Sequence, residues 1–253
     1  ATEAWLVDAL KFTGFKGNLE SVFAKGQIVA GAAMLSGSVL GGLVAQWTNL
    51  GVPYILRGLA LAVTFGVAFV YMRDWGFVPK PGKHPVREMN HVLRSSVHFG
   101  LGNPPVRWMM LAAPFSFGVG IYAFYAMQPY LLELYGDEQA YSIAGLAAAI
   151  IAGAQIIGGL AAPRVRLLFR RRTTAILAGL LIEGGLLALL GVTTAFWVAV
   201  GLLVLWGLTA AAALPIRQAY MNGLIPSEQR ATVLSFDNLL GSSGGVVIQP
   251  ALG

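Results

Sequence analysis

Apolar residues run along the chain in long, nearly uncharged stretches separated by short polar breaks. A helix that crosses a bilayer needs roughly 20 mostly apolar residues. Six stretches meet that length: 23–46, 50–72, 107–134, 139–163, 172–193 and 195–222. Residues 1–10 read as the tail of a preceding helix, and 230–253 as another helix cut short. Both ends read as cut through helices, so the pattern predicts a stretch of a longer protein. The expected fold class is all-α, a polytopic transmembrane helical bundle. The longest polar break, 73–106, has its own pattern: Val86, Met89, Leu93 and Val97 recur at helical spacing, with Arg87, Asn90 and Arg94 between them. That spacing fits a short amphipathic helix lying on the inner leaflet, or equally a solvated linker helix.

Composition agrees with the pattern. Of the residues, 57% are hydrophobic and only 11% charged, where a soluble domain carries about 25% charged. Too few charges remain to cover a water-facing surface. The 32 Gly are spread through the apolar stretches, where small residues let membrane helices approach closely. There is no Cys, which excludes disulfides and thiolate metal sites.

The net charge of +6 is explained by where the charges sit. If successive breaks alternate sides, one side receives Lys11, Lys16 and Lys25; then Arg73, Lys80, Lys83, Arg87, Arg94 and Arg107; then Arg164, Arg166, Arg170, Arg171 and Arg172; then Arg217 and Arg230. The breaks at 47–49, 133–138 and 193–194 carry no Lys or Arg. The exception is Arg57, one turn into its helix and placed to snorkel outward. Positive loops stay in the cytoplasm. The basic side is therefore expected to be cytoplasmic, in a cell membrane, and a nucleic-acid partner is not needed to explain the charge.

Several residues carry candidate chemistry. Glu183 lies in mid-helix, where a charge costs roughly 2.5–3.5 kcal/mol on insertion scales; it is either a proton or cation site or a protonated group bonded to a neighbouring helix. Asp8 is either a second proton site or a solvated partner of Lys11. A buried carboxylate such as Glu3 can cycle a proton near neutral pH. Gln155 is expected to bond a neighbouring helix. His84, His91 and His98 recur every seven residues, about 10 Å apart on a helix, too far to share one ion. No metal site and no cofactor is expected. The Gly-rich runs lack the Gly-x-x-x-x-Gly-Lys-Ser/Thr phosphate-loop pattern. An enzyme acting on lipid-linked substrates remains a separate alternative, with Glu133, Asp137 and Glu138 as its only boundary carboxylates on the less basic side.

Four segments together carry a resemblance. Ala1 to Asp8 is similar to the end of the fourth helix in bacterial exporters of the major facilitator superfamily, a family of twelve-helix transporters. Gly31, Gly37, Gly41 and Gly42 resemble the family's fifth-helix antiporter motif, with Ser38 where that motif usually has Pro. Gly159-Leu160-Ala161 followed by Arg170-Arg171-Arg172 resembles the second copy of its basic loop motif. Ile225 to Ser235 is similar to the start of the eleventh helix. The segments occur in family order, and the long break falls where the family joins its two six-helix halves.

The resemblance implies an incomplete fold, running from about helix four to helix eleven. Residues 1–72 would be the C-terminal part of the first half, 73–106 the inter-half loop, and 107–253 most of the second half. Residues 25–46 and 230–251 would correspond as repeats. It also implies transport of a small organic solute by alternating access, as a proton-coupled exporter or as an importer of a nutrient or metabolite. Glu3 would lie on a cavity-lining helix. Tyr122, Tyr125 and Gln128, three apart, would face that cavity from the seventh helix or else sit at the outer boundary, and Trp206 and Thr209, on the tenth, would face it or merely pack. Proton-coupling candidates are Glu3, Asp8 and Glu183. Expected partners are the solute, a proton and the lipid bilayer, with the protein a monomer. Without the missing helices, residues 1–253 alone are expected not to transport.

Overall fold

The structure is a computed structural model that describes residues 2–49, 51–72, 90, 94, 97–136 and 141–252. Among them there is no strand. Eight long helices follow one another: α1 (Thr2–Phe12), α2 (Leu19–Trp47), α3 (Gly51–Tyr71), α4 (Pro104–Tyr135), α5 (Tyr141–Leu168), α6 (Arg172–Val192), α7 (Phe196–Leu224) and α8 (Ser227–Leu252). Residues 97–102 form a further helical turn before α4. Val86, Met89, Leu93, His84 and His91 lie outside the described residues; His98 is described and exposed.

α3, α4, the Ala147–Leu168 part of α5, α6 and α7 are long and apolar enough to cross a membrane. α2 and α8 reach the needed length, with 29 and 26 residues. Local chemistry sets the ends. α4 starts three residues before its expected position because Pro104 and Pro105 occupy the first helical turn, where the missing N–H has no intrahelical acceptor to lose. It stops at Gly136, whose φ of 79° is left-handed and whose N–H bonds the carbonyls of Leu132 and Glu133. α5 continues through Pro163 to Leu168.

The packing is pairwise. α4 lies along α8, α5 lies between α2 and α7, and α6 packs on α7. One apolar cluster, around Met127, Leu131, Leu190, Leu203 and Trp206, fills the end where α4 and α6 stop. There the Tyr130 hydroxyl lies 2.9 Å from the Leu190 carbonyl and 2.6 Å from that of Thr193. At the other end a second cluster joins Ala4, Val106, Met110, Met221, Ile225 and Val233. α3 packs mainly on α2, and none of its described side chains is buried, the condition of a helix whose solvent is lipid.

The basic ends meet in space. The end of α1, the starts of α2, α4, α6 and α8, and the ends of α5 and α7 all gather around the second cluster and its neighbours. Arg217 differs from expectation. It lies inside α7, well before the helix ends at Leu224, rather than in a loop.

Candidate functional site

Glu20, in the first turn of α2, is 3% exposed. The Nε of Arg172 on α6 donates to its Oε1 at 2.6 Å, and the Nε of Arg166 on α5 lies 3.8 Å from the same oxygen. Asp8 of α1 pairs with Nη1 of Arg230, a fully buried guanidinium that also bonds Ser227 and the carbonyl of Ile225. Gln218 of α7 donates to Glu3 Oε1 at 2.8 Å. These contacts tie α1 and α2 to α5, α6, α7 and α8, and the two ion pairs sit at the basic end.

The same two groups of helices meet along a seam of small residues. A Cβ on Gly31 of α2 would come within 2.7 Å of the Ala152 carbonyl oxygen and 2.9 Å of the Gln155 Cβ. A Cβ on Gly159 of α5 would lie 2.9 Å from the Ala24 carbonyl oxygen. Two glycines from separate sequence motifs thus serve one helix crossing. Gln155 on this seam reaches Met34 Sδ at 3.9 Å. Nothing lies within 4 Å of a Cβ built at Gly37 or Gly41, so of these three glycines Gly31 is the one at a close helix approach. Gly42 is helical.

Inside the bundle, Nη2 of Arg217 donates to both oxygens of Asp237 on α8, at 2.9 and 2.8 Å. Asp237 is 2% exposed. The Arg217 Cζ stands 5.3 Å from the centre of the Phe117 ring on α4, close enough for a cation–π contact. A cavity of about 930 Å³ opens beside this pair, between α4, α6 and α7. Trp108, Phe117, Phe124, Tyr125, Trp206 and Tyr220 supply its aromatic lining, and Glu183 and Arg217 are the charged residues on it. A smaller cavity of about 510 Å³ holds Tyr122, Tyr130 and Glu133.

The residues expected on one cavity face are therefore divided. Tyr125 lines the larger cavity and is 65% exposed, while Tyr122 lines the smaller one. Gln128 is partly buried and is not among the residues lining either. Trp206 both lines the larger cavity and belongs to the core cluster. The Thr209 hydroxyl bonds the Leu205 carbonyl of its own helix at 2.8 Å. Glu3, Asp8 and Glu183 stand apart: the first two are paired, and the third lines the larger cavity. Arg170 and Arg171 are exposed, and of that basic run Arg172 reaches Glu20. Arg57 is exposed along α3.

Sequence reasoning passed over Glu20, Gln218 and Asp237. Asp237 had a signal, a lone carboxylate ten residues into an apolar helix, where an ionisable group is a functional candidate by default. Among the described residues no cluster of three or more His, Cys, Asp or Glu could hold a metal ion.

A multi-pass bundle of apolar helices, with buried ion pairs between its segments, defines an integral membrane protein of the transporter kind. The chain matches the Major Facilitator Superfamily over residues 15–249, and it belongs to that family. This is a family of secondary transporters rather than of enzymes. No curated protein and no solved structure matches the chain.

Proposed function

We propose that the protein exports a small organic solute in exchange for protons, by alternating access. The observation that carries this reading is the set of contacts between α1–α2 and α5–α8. Glu20 with Arg166 and Arg172, and Asp8 with Arg230, are ion pairs gathered at the basic end, which the positive-inside rule turns toward the cytoplasm. Residues 1–72 and 107–253 act as two bodies that rock about the Gly31–Gly159 seam. Breaking those pairs opens the cytoplasmic side; remaking them closes it. Charge pairs suit this role because exposure to water removes most of their worth, so the open and closed states stay close in energy.

Export as an antiporter draws on the glycine run from Gly31 to Gly42. Glu3 supplies a carboxylate in the first turn of α1, accepting from Gln218. Tyr122, Tyr125, Gln128, Trp206 and Thr209 are the substrate-pathway candidates, with Asp8 and Glu183 as further proton carriers. The protein works as a monomer in the cytoplasmic membrane and uses no cofactor.

The test is accumulation of solutes in inverted membrane vesicles energised to acidify their interior. A panel of lipophilic cations and neutral organics serves as the probe. Accumulation that collapses with the pH gradient, and is lost in Glu3→Gln, supports proton-driven export through Glu3. Absence of accumulation with every compound, in vesicles containing the folded protein, removes that reading.

A further inference from the structure

Glu183 stands in the middle of α6, the twelfth of its 21 residues. At 1.5 Å per residue it lies about 16 Å from the start of that helix, near half the roughly 30 Å of a bilayer's hydrocarbon. Its side chain folds back over Gly179: a Cβ built there would lie 3.9 Å from Glu183 Oε1 and 3.3 Å from the Ala213 Cβ of α7. The carboxyl is thus held beside the α6–α7 crossing, on the wall of the cavity of about 930 Å³. Among the described residues it makes no hydrogen bond or ion pair, whereas Glu3, Asp8, Glu20 and Asp237 each have a partner. A lone charge at that depth is costly and calls for an opposite one. Arg217, on the same cavity, does not supply it, because its Nη2 serves both oxygens of Asp237. The cavity therefore carries one uncompensated acidic group.

The cavity also faces outward. Trp108 and Tyr125 of α4 and Leu177 of α6 line it and are 65%, 65% and 61% exposed, on helices apolar enough to be surrounded by lipid. None of its lining residues is on α1, α2 or α3. It belongs to the 107–253 body rather than to the gap between the two bodies. Its volume suits a drug-sized molecule, and its wall is apolar apart from a few polar groups, as in small-molecule sites generally.

We propose that this cavity is a lateral loading site for an amphipathic organic cation that arrives from the lipid, with Glu183 as its counter-charge. This rests on the reading of the chain as a carrier of a small organic solute, and it names the class of solute and where it enters. The positive centre sits against the Glu183 carboxylate and the faces of the neighbouring rings, which attract cations. The apolar part packs on the remaining wall. Tyr125 and Trp206 are then met first, before the solute crosses between the bodies, and Glu3 keeps the coupled proton. A lipid acyl chain or a neutral molecule would fill the space and leave the carboxylate unpaired, at the cost of a buried charge. An anion would be repelled by it.

The probes are tetraphenylphosphonium and tetraphenylborate, which share a shape and differ in the sign of their charge. Binding of each radiolabelled ion to the protein in lipid nanodiscs is measured against empty nanodiscs, which removes partition into the lipid. Tetraphenylphosphonium is expected to bind and tetraphenylborate not. Glu183→Gln is expected to weaken cation binding by about tenfold, and Glu183→Asp to keep most of it. Leu180→Trp, at a lining position that is 36% exposed, is expected to weaken it by filling the mouth, and serves if Glu183→Gln does not fold. Cation binding unchanged in Glu183→Gln or in Leu180→Trp overturns the assignment, as does equal binding of the two ions or no binding of the cation. Loss in Glu3→Gln with retention in Glu183→Gln moves the cation to α1 and overturns it too. The two readings fail separately. Proton-driven accumulation of a neutral solute, by a protein that binds no cation, removes this inference and leaves the carrier. Cation binding lost in Glu183→Gln, in a protein that accumulates no solute, leaves the site and removes the carrier.

Discussion

Glu20, in the first turn of α2, accepts a 2.6 Å hydrogen bond from Arg172, the first residue of α6, and so joins positions 152 residues apart in sequence. The carboxylate is buried while the guanidinium is 39% exposed. Water therefore screens part of the attraction, and the pair is worth less than a fully buried one. Glu20→Gln keeps the shape and removes the charge. It is expected to destabilise the folded protein by about 1–2 kcal/mol and to increase labelling of a cysteine placed at the buried Ala24. Unchanged melting in detergent together with unchanged labelling would contradict a closing role for this contact.

Gly31 and Gly159 predict a sharper contrast. A methyl on Gly31 meets backbone oxygen and a side-chain carbon that cannot both give way. Overpacking of this kind costs about 1–3 kcal/mol, so Gly31→Ala should lower stability by that amount and slow transport. Gly37→Ala meets nothing within 4 Å and should stay within about 0.5 kcal/mol of wild type. Thermal unfolding of the two variants side by side checks this; equal losses would mean the seam is looser than described.

The spans were legible because a membrane helix announces itself by length and uniform apolarity. Residues 172–193 and 195–222 were expected, and Arg172–Val192 and Phe196–Leu224 are found. Polar first turns were not legible. Glu20 and Ser21 looked like loop, yet α2 begins at Leu19, because Arg172 supplies the charge that lets Glu20 be buried. Arg217 was read as a loop cation because nothing local shows its partner; Asp237 lies twenty residues away on another helix. Spacing of three placed Tyr122 and Tyr125 on one helix face, but a step of three still turns the face, and the two side chains line different cavities.

Glu3 and Gln218 separate structure from chemistry. In Glu3→Gln the new amide oxygen can still accept from Gln218 Nε2, so the contact at 2.8 Å survives. The expected outcome is melting within about 0.5 kcal/mol of wild type with loss of proton-driven transport. Folded Glu3→Gln that transports at the wild-type rate would remove Glu3 from the proton path.

Tyr130 pins the less basic end. Its hydroxyl lies within hydrogen-bond reach of the Leu190 and Thr193 carbonyls, at the end of α6 and the turn that follows. Tyr130→Phe should cost about 0.5–1.5 kcal/mol, read as a lower melting temperature with solute transport retained. A loss of transport in a variant that melts like wild type would give Tyr130 a place in the solute path.

Distances across both ends measure the rocking of the two bodies. Spin labels at Lys16 and Arg171 span the basic end, and labels at Asn49 and Thr194 span the other; all four positions are exposed. Two populated distances are expected at each end. Conditions that lengthen the Lys16–Arg171 distance, whether solute, pH or Glu20→Gln, should shorten the Asn49–Thr194 distance. A single distance at each end, unmoved by any of these in folded protein shown to bind solute, would contradict alternating access.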